Sequence, residues 1–346
     1  MKLTDSEITK KIEEIKKLHL AKRDEKAVAI LDEFVQELNL LKPFNPLLAF
    51  LFSTNDPVKI YLLTGDIYSN MERNKEAFEA YKLYHYYVQQ LSPHENLESK
   101  SNAIVYSFRA CSRYFLDDLK NRTITCVAPS EMNDPFDSIA TYWSKEENLD
   151  KLTNLRKTNE IYSKSFEYYR IRSFVANRDK YETDDSILEK IKMWSHYADS
   201  HKGVCVKYKL TKHFIKPQGP YGRETDKDYI CKVLRLYPMK YEPDVSLNNM
   251  KSISPTDIIC RKSSVWSDEN EVRLISYNPY SEKKWFAEPL EDSTIEEIIF
   301  GYKCSKEDRT KICNDAKALY PGIKFSEMYI DETKSLYKLM KKEYHK

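Results

Sequence analysis

The sequence predicts an α+β protein: α-helical hairpins to about residue 93, then a mixed α+β domain with a central sheet over 94–346. Two observations carry this. Apolar residues recur at helical spacing before Pro93, and beyond it short runs rich in β-branched and aromatic residues take over. The strand-like and helical runs then follow in irregular order, which argues against a doubly wound sheet. A chain of 346 residues is long enough for two such domains, each with its own core.

Thr4-Asp5-Ser6-Glu7 is a capping box, followed by Ile8, Ile12, Ile15 and Leu18 at helical spacing. A second stripe, Ala27, Ile30, Leu31, Phe34, Val35 and Leu38, runs to Lys42-Pro43 and completes a hairpin. Asp56-Pro57 opens another, with Asp as cap and Pro at the first helical position. From Tyr61 the spacing of Gly65, Tyr68, Ala77 and Tyr81 resembles a tetratricopeptide repeat, with Thr64 standing where the repeat prefers Leu. Aligning Ala27 with Ala77 sets both hairpins in one register, residues 42–57 being an insertion. The resemblance implies a protein or peptide partner at the helical region. The alternative is that two hairpins only pack on the next domain, with Tyr81, Tyr84, Tyr86 and Tyr87 as interface core.

Strands are expected at 104–108, 123–127, 203–210, 233–241, 271–277 and 295–300, and helices near 113–120, 148–164 and 186–193. A capped helix over 305–319, a Pro321-Gly322 turn, a strand near Ile323 and a lysine-rich surface helix from about Thr333 complete the expectation.

Composition narrows the function. The 56 basic and 54 acidic residues nearly cancel, so no whole-molecule field draws the chain to nucleic acid or an anionic membrane. The charged first stretch and the lack of an 18-residue apolar run point to the cytoplasm and to no membrane. Seven scattered cysteines without a C-x-x-C pair suggest reduced thiols rather than a disulfide frame or zinc ribbon. Only 6 glycines against 26 tyrosines disfavour a glycine-rich phosphate loop. His196 and His201 lack metal-ligand spacing, so no metal is expected.

Three polar words interrupt the strands: MNDPFD from Met132, MWSHYADSHKGVC from Met193, and the run from Lys262 to Arg273 with Trp266, Ser267, Glu269 and Glu271 inside it. In this order they resemble the bacterial domain-of-unknown-function 2971 family over about residues 104–303. A weaker resemblance is to ADP-ribosyltransferase-like folds, which carry a basic or His residue on an early strand, an aromatic middle segment, and a Glu, often Glu-x-Glu, at a late strand. That likeness implies NAD as co-substrate. Glu271 would stabilise the oxocarbenium-like ribose, Glu269 would orient or deprotonate the acceptor, and Arg109 would hold a phosphate. Tyr106, Trp194, His196 and Tyr197 would surround the cofactor, Trp194 or Tyr197 stacking on nicotinamide. On a strand, Glu269 and Glu271 would point to one face.

Each assignment has a plainer counterpart. The two glutamates pair equally well with Arg261, Lys262 or Arg273 across a sheet. His196 suits a hydrogen-bonded core position, His201 the surface, and Trp194 and Trp266 the core. Lys202, Lys207, Lys209, Lys212 and Lys216 fit either a nucleic-acid acceptor or a strand edge guarded by lysines. The functional expectation is thus an effector of the stress or phage-defence kind, acting on protein or nucleic acid. Its alternatives are a non-enzymatic interaction module and, with less support, a metal-independent nuclease.

Overall fold

The computed structural model describes residues 5–38, 40–41, 57–91, 103–132, 164–177, 180, 182–210, 233–242, 259–277, 283–290, 294–335 and 338–345. Two helical hairpins come first, α1 (Asp5–Leu20) with α2 (Asp24–Leu38) and α3 (Pro57–Asn70) with α4 (Asn74–Leu91). Both turns place one residue in the left-handed region, Lys22 at φ 56° and Glu72 at φ 59°. Both also close with the same bonds: Arg23 N–H to the Leu18 carbonyl, and Arg73 N–H to that of Tyr68. Ala27 and Ala77 occupy matching, fully buried positions, as their alignment anticipated.

Side-chain size sets how closely the second hairpin closes. A Cβ on Gly65 would lie 2.3 Å from the Tyr81 ring, so only glycine admits that aromatic. Tyr81 then donates its hydroxyl to Asp66 at 2.8 Å. Thr64 returns its hydroxyl to the Ile60 carbonyl one turn back, which lets a polar residue lie buried there. Tyr68 and Arg73 both reach Asp32 and tie the hairpins together. We expect Gly65→Ala to destabilise the chain by about 1–3 kcal/mol through overpacking, read as a lower urea midpoint.

The remaining chain forms β1 (Ala103–Arg109), α5 (Arg113–Asn121), β2 (Thr123–Val127), β3 (Tyr169–Val175), α6 (Ile191–Tyr197) and β4 (Val204–Leu210). Next come β5 (Val233–Pro238), β6 (Lys240–Glu242), β7 (Arg261–Ser263), β8 (Glu271–Tyr277) and β9 (Trp285–Pro289). Then β10 (Ile295–Phe300), α7 (Lys306–Leu319), β11 (Lys324–Ile330) and β12 (Leu339–Glu343) close the fold. Ten strands make one mixed sheet in the order β12-β11-β10-β4-β1-β3-β2-β9, with β8 pairing β3 and β5 pairing β8, while β6 and β7 pair separately. Among the described residues the large sheet has one parallel pair, β10 with β11, joined through α7, which is capped by Ser305 as its sequence indicated.

The sheet forks at β3. One edge of β3 pairs fully with β8, from Tyr169↔Tyr277 to Val175↔Glu271. The other edge meets β1 only at Tyr106↔Val175 and β2 only at Val127↔Ile171. Continued pairing would bring β1 and β2 onto the same stretch, Arg172 to Phe174, so the two strands part around it.

Apolar packing holds both faces. Residues of all four helices share one cluster with Tyr169, Ile171, Ile275 and Tyr277 of the sheet. His85 of α4 sits within it, beside the Tyr169 hydroxyl at 3.2 Å, and burial pushes its pKa down to about 3. The helical region is therefore continuous with the sheet's core, and Tyr81 and Tyr84 are buried in that core. α5 and α7 belong to a second cluster, with Phe174, Val272 and Leu274.

Several expectations change. The tail from Thr333 contains a strand, not a surface helix: β12 pairs with the edge of β11, buries Leu339 and sets Lys342 against Glu327 at 3.2 Å. Pairing with an open edge outweighs the helical propensity of a lysine-rich run. β4 lies inside the sheet between β1 and β10, so its lysines guard no edge, and Lys207 pairs with Glu296 at 3.2 Å. The helix expected over 148–164 lies, but for Lys164, outside the described residues, as do Lys212 and Lys216. β3 and β9 were not anticipated, although YRIRSFV alternates as a strand should. The six described cysteines are free thiols.

Candidate active site

The fork opens a cleft of about 740 Å³, lined by β1, β2, β3, α6, β7 and the turn before β8. Among its walls are Arg109, Tyr197, Glu269 and Glu271.

Arg109 ends β1. Its Nη1 donates to Asp118 of α5 at 2.6 Å, and the guanidinium lies 5.4 Å from the Phe115 ring centre. Asp118 is buried and also accepts from Thr123 and Thr125 at 3.1 and 2.5 Å. The chain after α6 sets the Arg109 backbone: Asp199, Ser200 and His201 are all left-handed, and a Cβ on Gly203 would strike the Arg109 carbonyl at 2.1 Å. Much of the word MWSHYADSHKGVC thus builds a wall.

The carboxylates form the opposite side. Glu269 and Glu271 do not share a strand face. Glu269 closes a 3-10 turn (Ser264–Glu269), Asn270 is left-handed, and Glu271 begins β8. A turn, not the pleat, converges them. Lys262 bridges both, at 2.6 Å to Glu269 and 3.0 Å to Glu271. Glu269 also accepts from the Tyr197 hydroxyl at 2.7 Å, and Glu271 from Arg273 Nε at 2.7 Å. All four charged groups of this network are at most 7% exposed. Burial alone would raise the Glu271 carboxyl, but the charges of Arg273 and Lys262 outweigh it and hold it at about 2. Burial and the bond to Glu269 push the Tyr197 hydroxyl up.

The aromatic assignments divide. Trp194 is fully buried, donates Nε1 to the Leu188 carbonyl at 2.8 Å and packs edge-on against Phe108; it belongs to the core and cannot stack on a ligand. Trp266 takes the wall position instead, with the Lys262 ammonium 5.5 Å from its ring centre and His196 edge-on at 6.3 Å. His196 is exposed at the cleft, not a core histidine, while the half-buried His201 bonds Ser195 at 3.1 Å. Tyr106 lines the cleft but is buried, its hydroxyl accepting from the Asp184 N–H at 3.1 Å. Residues 133–137 of MNDPFD lie outside the described residues, and Met132 lines the cleft.

Sequence reasoning missed Arg172, Ser107 and Thr125, which line the fork, and treated Lys262 only as a possible ion-pair partner. The alternation of β3 was the available signal for Arg172, since residues 170 and 172 share its face. Among the described residues no group of three or more His, Cys, Asp or Glu is arranged to hold a metal, and no helix is long and apolar enough to cross a membrane.

Residues 193–274 match the family model described as "Protein of unknown function (DUF2971)". The matched stretch holds the second and third polar words, hence α6 and the Lys262–Glu269–Glu271 network, and is shorter than the 104–303 that the motifs suggested. No curated protein and no solved structure matches the chain.

Because Glu271 is ionised between two buried cations, Glu271→Gln should destabilise the fold by about 3–5 kcal/mol, the cost of breaking a buried pair. Its depressed pKa means that its contribution is present above the ordinary carboxylate range and is lost as pH falls from about 4.5 toward about 2. Urea unfolding at stepped pH should therefore show a shallower acid loss in the variant.

Proposed function

We propose that the cleft binds NAD and that the chain transfers its ADP-ribosyl group to an acceptor. One observation carries this reading: guanidinium groups and a carboxylate pair face a single cleft, with Tyr197, His196 and Trp266 along its walls. NAD asks for that division, since its central diphosphate is anionic and the ribose that carries nicotinamide becomes an incipient cation.

In the proposed reaction the bond between ribose C1′ and the nicotinamide nitrogen breaks, and its electron pair leaves with neutral nicotinamide. The positive charge developing on the ribose is met by the fixed negative charge of Glu271. An acceptor oxygen or nitrogen attacks C1′ and loses its proton to Glu269, from which it passes to water. Glu269 suits this role because Tyr197 and Lys262 hold it at the wall, whereas Glu271 is anchored by the fully buried Arg273. Arg109, fixed by Asp118, meets a phosphate.

The acceptor is a protein or a nucleic acid, and the chain acts as an effector of the stress or defence kind. The helical hairpins dock the partner. α4 spends Tyr84 and His85 on the shared core, so docking falls to the outer, charged face of α1 around Lys10, Lys17 and Leu20, the last 73% exposed.

A second reading, a binding module without catalysis, is favoured by the ion pairing itself: each oxygen of Glu269 and Glu271 already has a partner. Calorimetric titration with NAD, together with mass spectrometry of released nicotinamide, decides between them. We expect saturable binding, weakened at least about tenfold in Arg109→Ala by loss of a charge-assisted bond, and nicotinamide release that Glu269→Gln suppresses while binding persists. No heat at millimolar NAD would leave the binding-module reading.

A further inference from the structure

We propose that Arg172, with Arg109 beside it and the hydroxyls of Ser107 and Thr125 around it, forms a receptor for a phosphate or diphosphate group of the ligand. This deepens the reading above by naming the part of the ligand that the fork itself would hold.

The arginines of β3 and β8 differ in their partners. Arg273 of β8 is satisfied by the Glu271 carboxylate at 2.7 Å and the Ile259 carbonyl at 2.6 Å. Arg170 of β3 spends its terminal nitrogens on the carbonyls of Glu167, Tyr169 and Lys283. Arg172 differs. Half-buried at the cleft, it sends Nη2 to the Ser107 hydroxyl at 2.6 Å rather than to carbonyls; its Nε, like that of Arg170, has no hydrogen-bond partner, and among the described residues no carboxylate pairs with it. The nearby acid, Asp118, is committed to Arg109 and to the two threonines. Arg109 and Arg172 therefore stand beside one carboxylate where β1 and β2 part, and of the two that carboxylate bonds Arg109 alone.

A cation withdrawn from water without a counter-charge is costly, and a fold that keeps one facing a cleft is built for an anion that arrives later. Burial, and then the charge of Arg109, lower the Arg172 pKa to about 10, which still leaves it a cation at neutral pH. The donors suit a tetrahedral oxyanion: a planar fork of N–H groups from Arg172, the remaining N–H groups of Arg109, and the Ser107 hydroxyl, whose oxygen accepts from Arg172 and whose proton stays available. The divergence of β1 and β2 supplies the space, because neither strand covers the edge of β3 between Ile171 and Val175.

The test is a titration of inorganic pyrophosphate, and separately of phosphate, into the full-length chain at constant ionic strength, read by calorimetry and thermal melting. We expect saturable pyrophosphate binding, weaker by about tenfold or more in Arg172→Met and by less in Arg172→Lys, which keeps the charge but not the fork. Without ligand, Arg172→Met should melt no lower than wild type, because it replaces a cation that lacks a counter-charge with an apolar chain of similar length. Absent pyrophosphate binding, or equal binding by Arg172→Met, overturns the proposal. So does an Arg172→Met protein that melts far below wild type while Arg172→Lys binds as wild type does, since Arg172 would then be bracing the fold. Pyrophosphate binding by a chain that ignores NAD leaves this receptor standing and removes the NAD reading. NAD turnover unchanged in Arg172→Met does the reverse.

Discussion

A β-strand edge can be hydrogen-bonded by only one neighbour at a time, and this constraint at β3 shapes the rest of the molecule. With β8 along its full length on one side, β3 leaves β1 and β2 to divide the other, each holding it at one residue pair. The strands between those pairs must separate. The separation makes a cleft in the middle of a sheet, where both walls are rigid strands, and it brings Arg109, Ser107, Arg172 and Thr125 into one space although they come from three strands.

The charges divide along the same line. On the β8 side, Lys262 joins two carboxylates and Arg273 adds a second cation, so the network is balanced, two against two, and can remain ionised while nearly buried. At the fork, Arg109 and Arg172 stand beside the single carboxylate of Asp118, which bonds Arg109. The proposed phosphate receptor lies on this side. The helical hairpins reach the same strands from behind, through Tyr169 and Tyr277, so the position of α4 and the geometry of the fork belong to one continuous core.

The stretch that matches a family of unknown function contributes both to packing and to the cleft. Within the matched 193–274, Trp194, the left-handed run from Asp199 to His201 and Gly203 all serve packing and chain reversal, while His196, Tyr197, Lys262, Trp266, Glu269 and Glu271 face the cleft. Packing and chemistry are thus interleaved residue by residue in one motif, which is why Trp194 reads as a stacking candidate in sequence and proves to be core.

The sequence by itself determined the elements whose signals are local: the helical hairpins with the repeated placing of Ala27 and Ala77, the close contact that Gly65 permits, the Ser305 cap, and the strands at 104–108, 123–127 and 271–277. It also determined which chemical groups were present, with Arg109, Tyr197, Glu269 and Glu271 all legible as candidates. Only the tertiary structure decided how they meet. Whether the tail pairs with β11 or coils into a helix depends on an edge that is open in space, not on its own residues. The partners of Glu269 and Glu271 depend on a left-handed Asn270 and on Lys262 arriving from β7, and the isolation of Arg172 on two strands diverging around it. Contacts of this kind join residues as far apart as Ser107 and Arg172, 65 positions, and no periodicity within a strand encodes them.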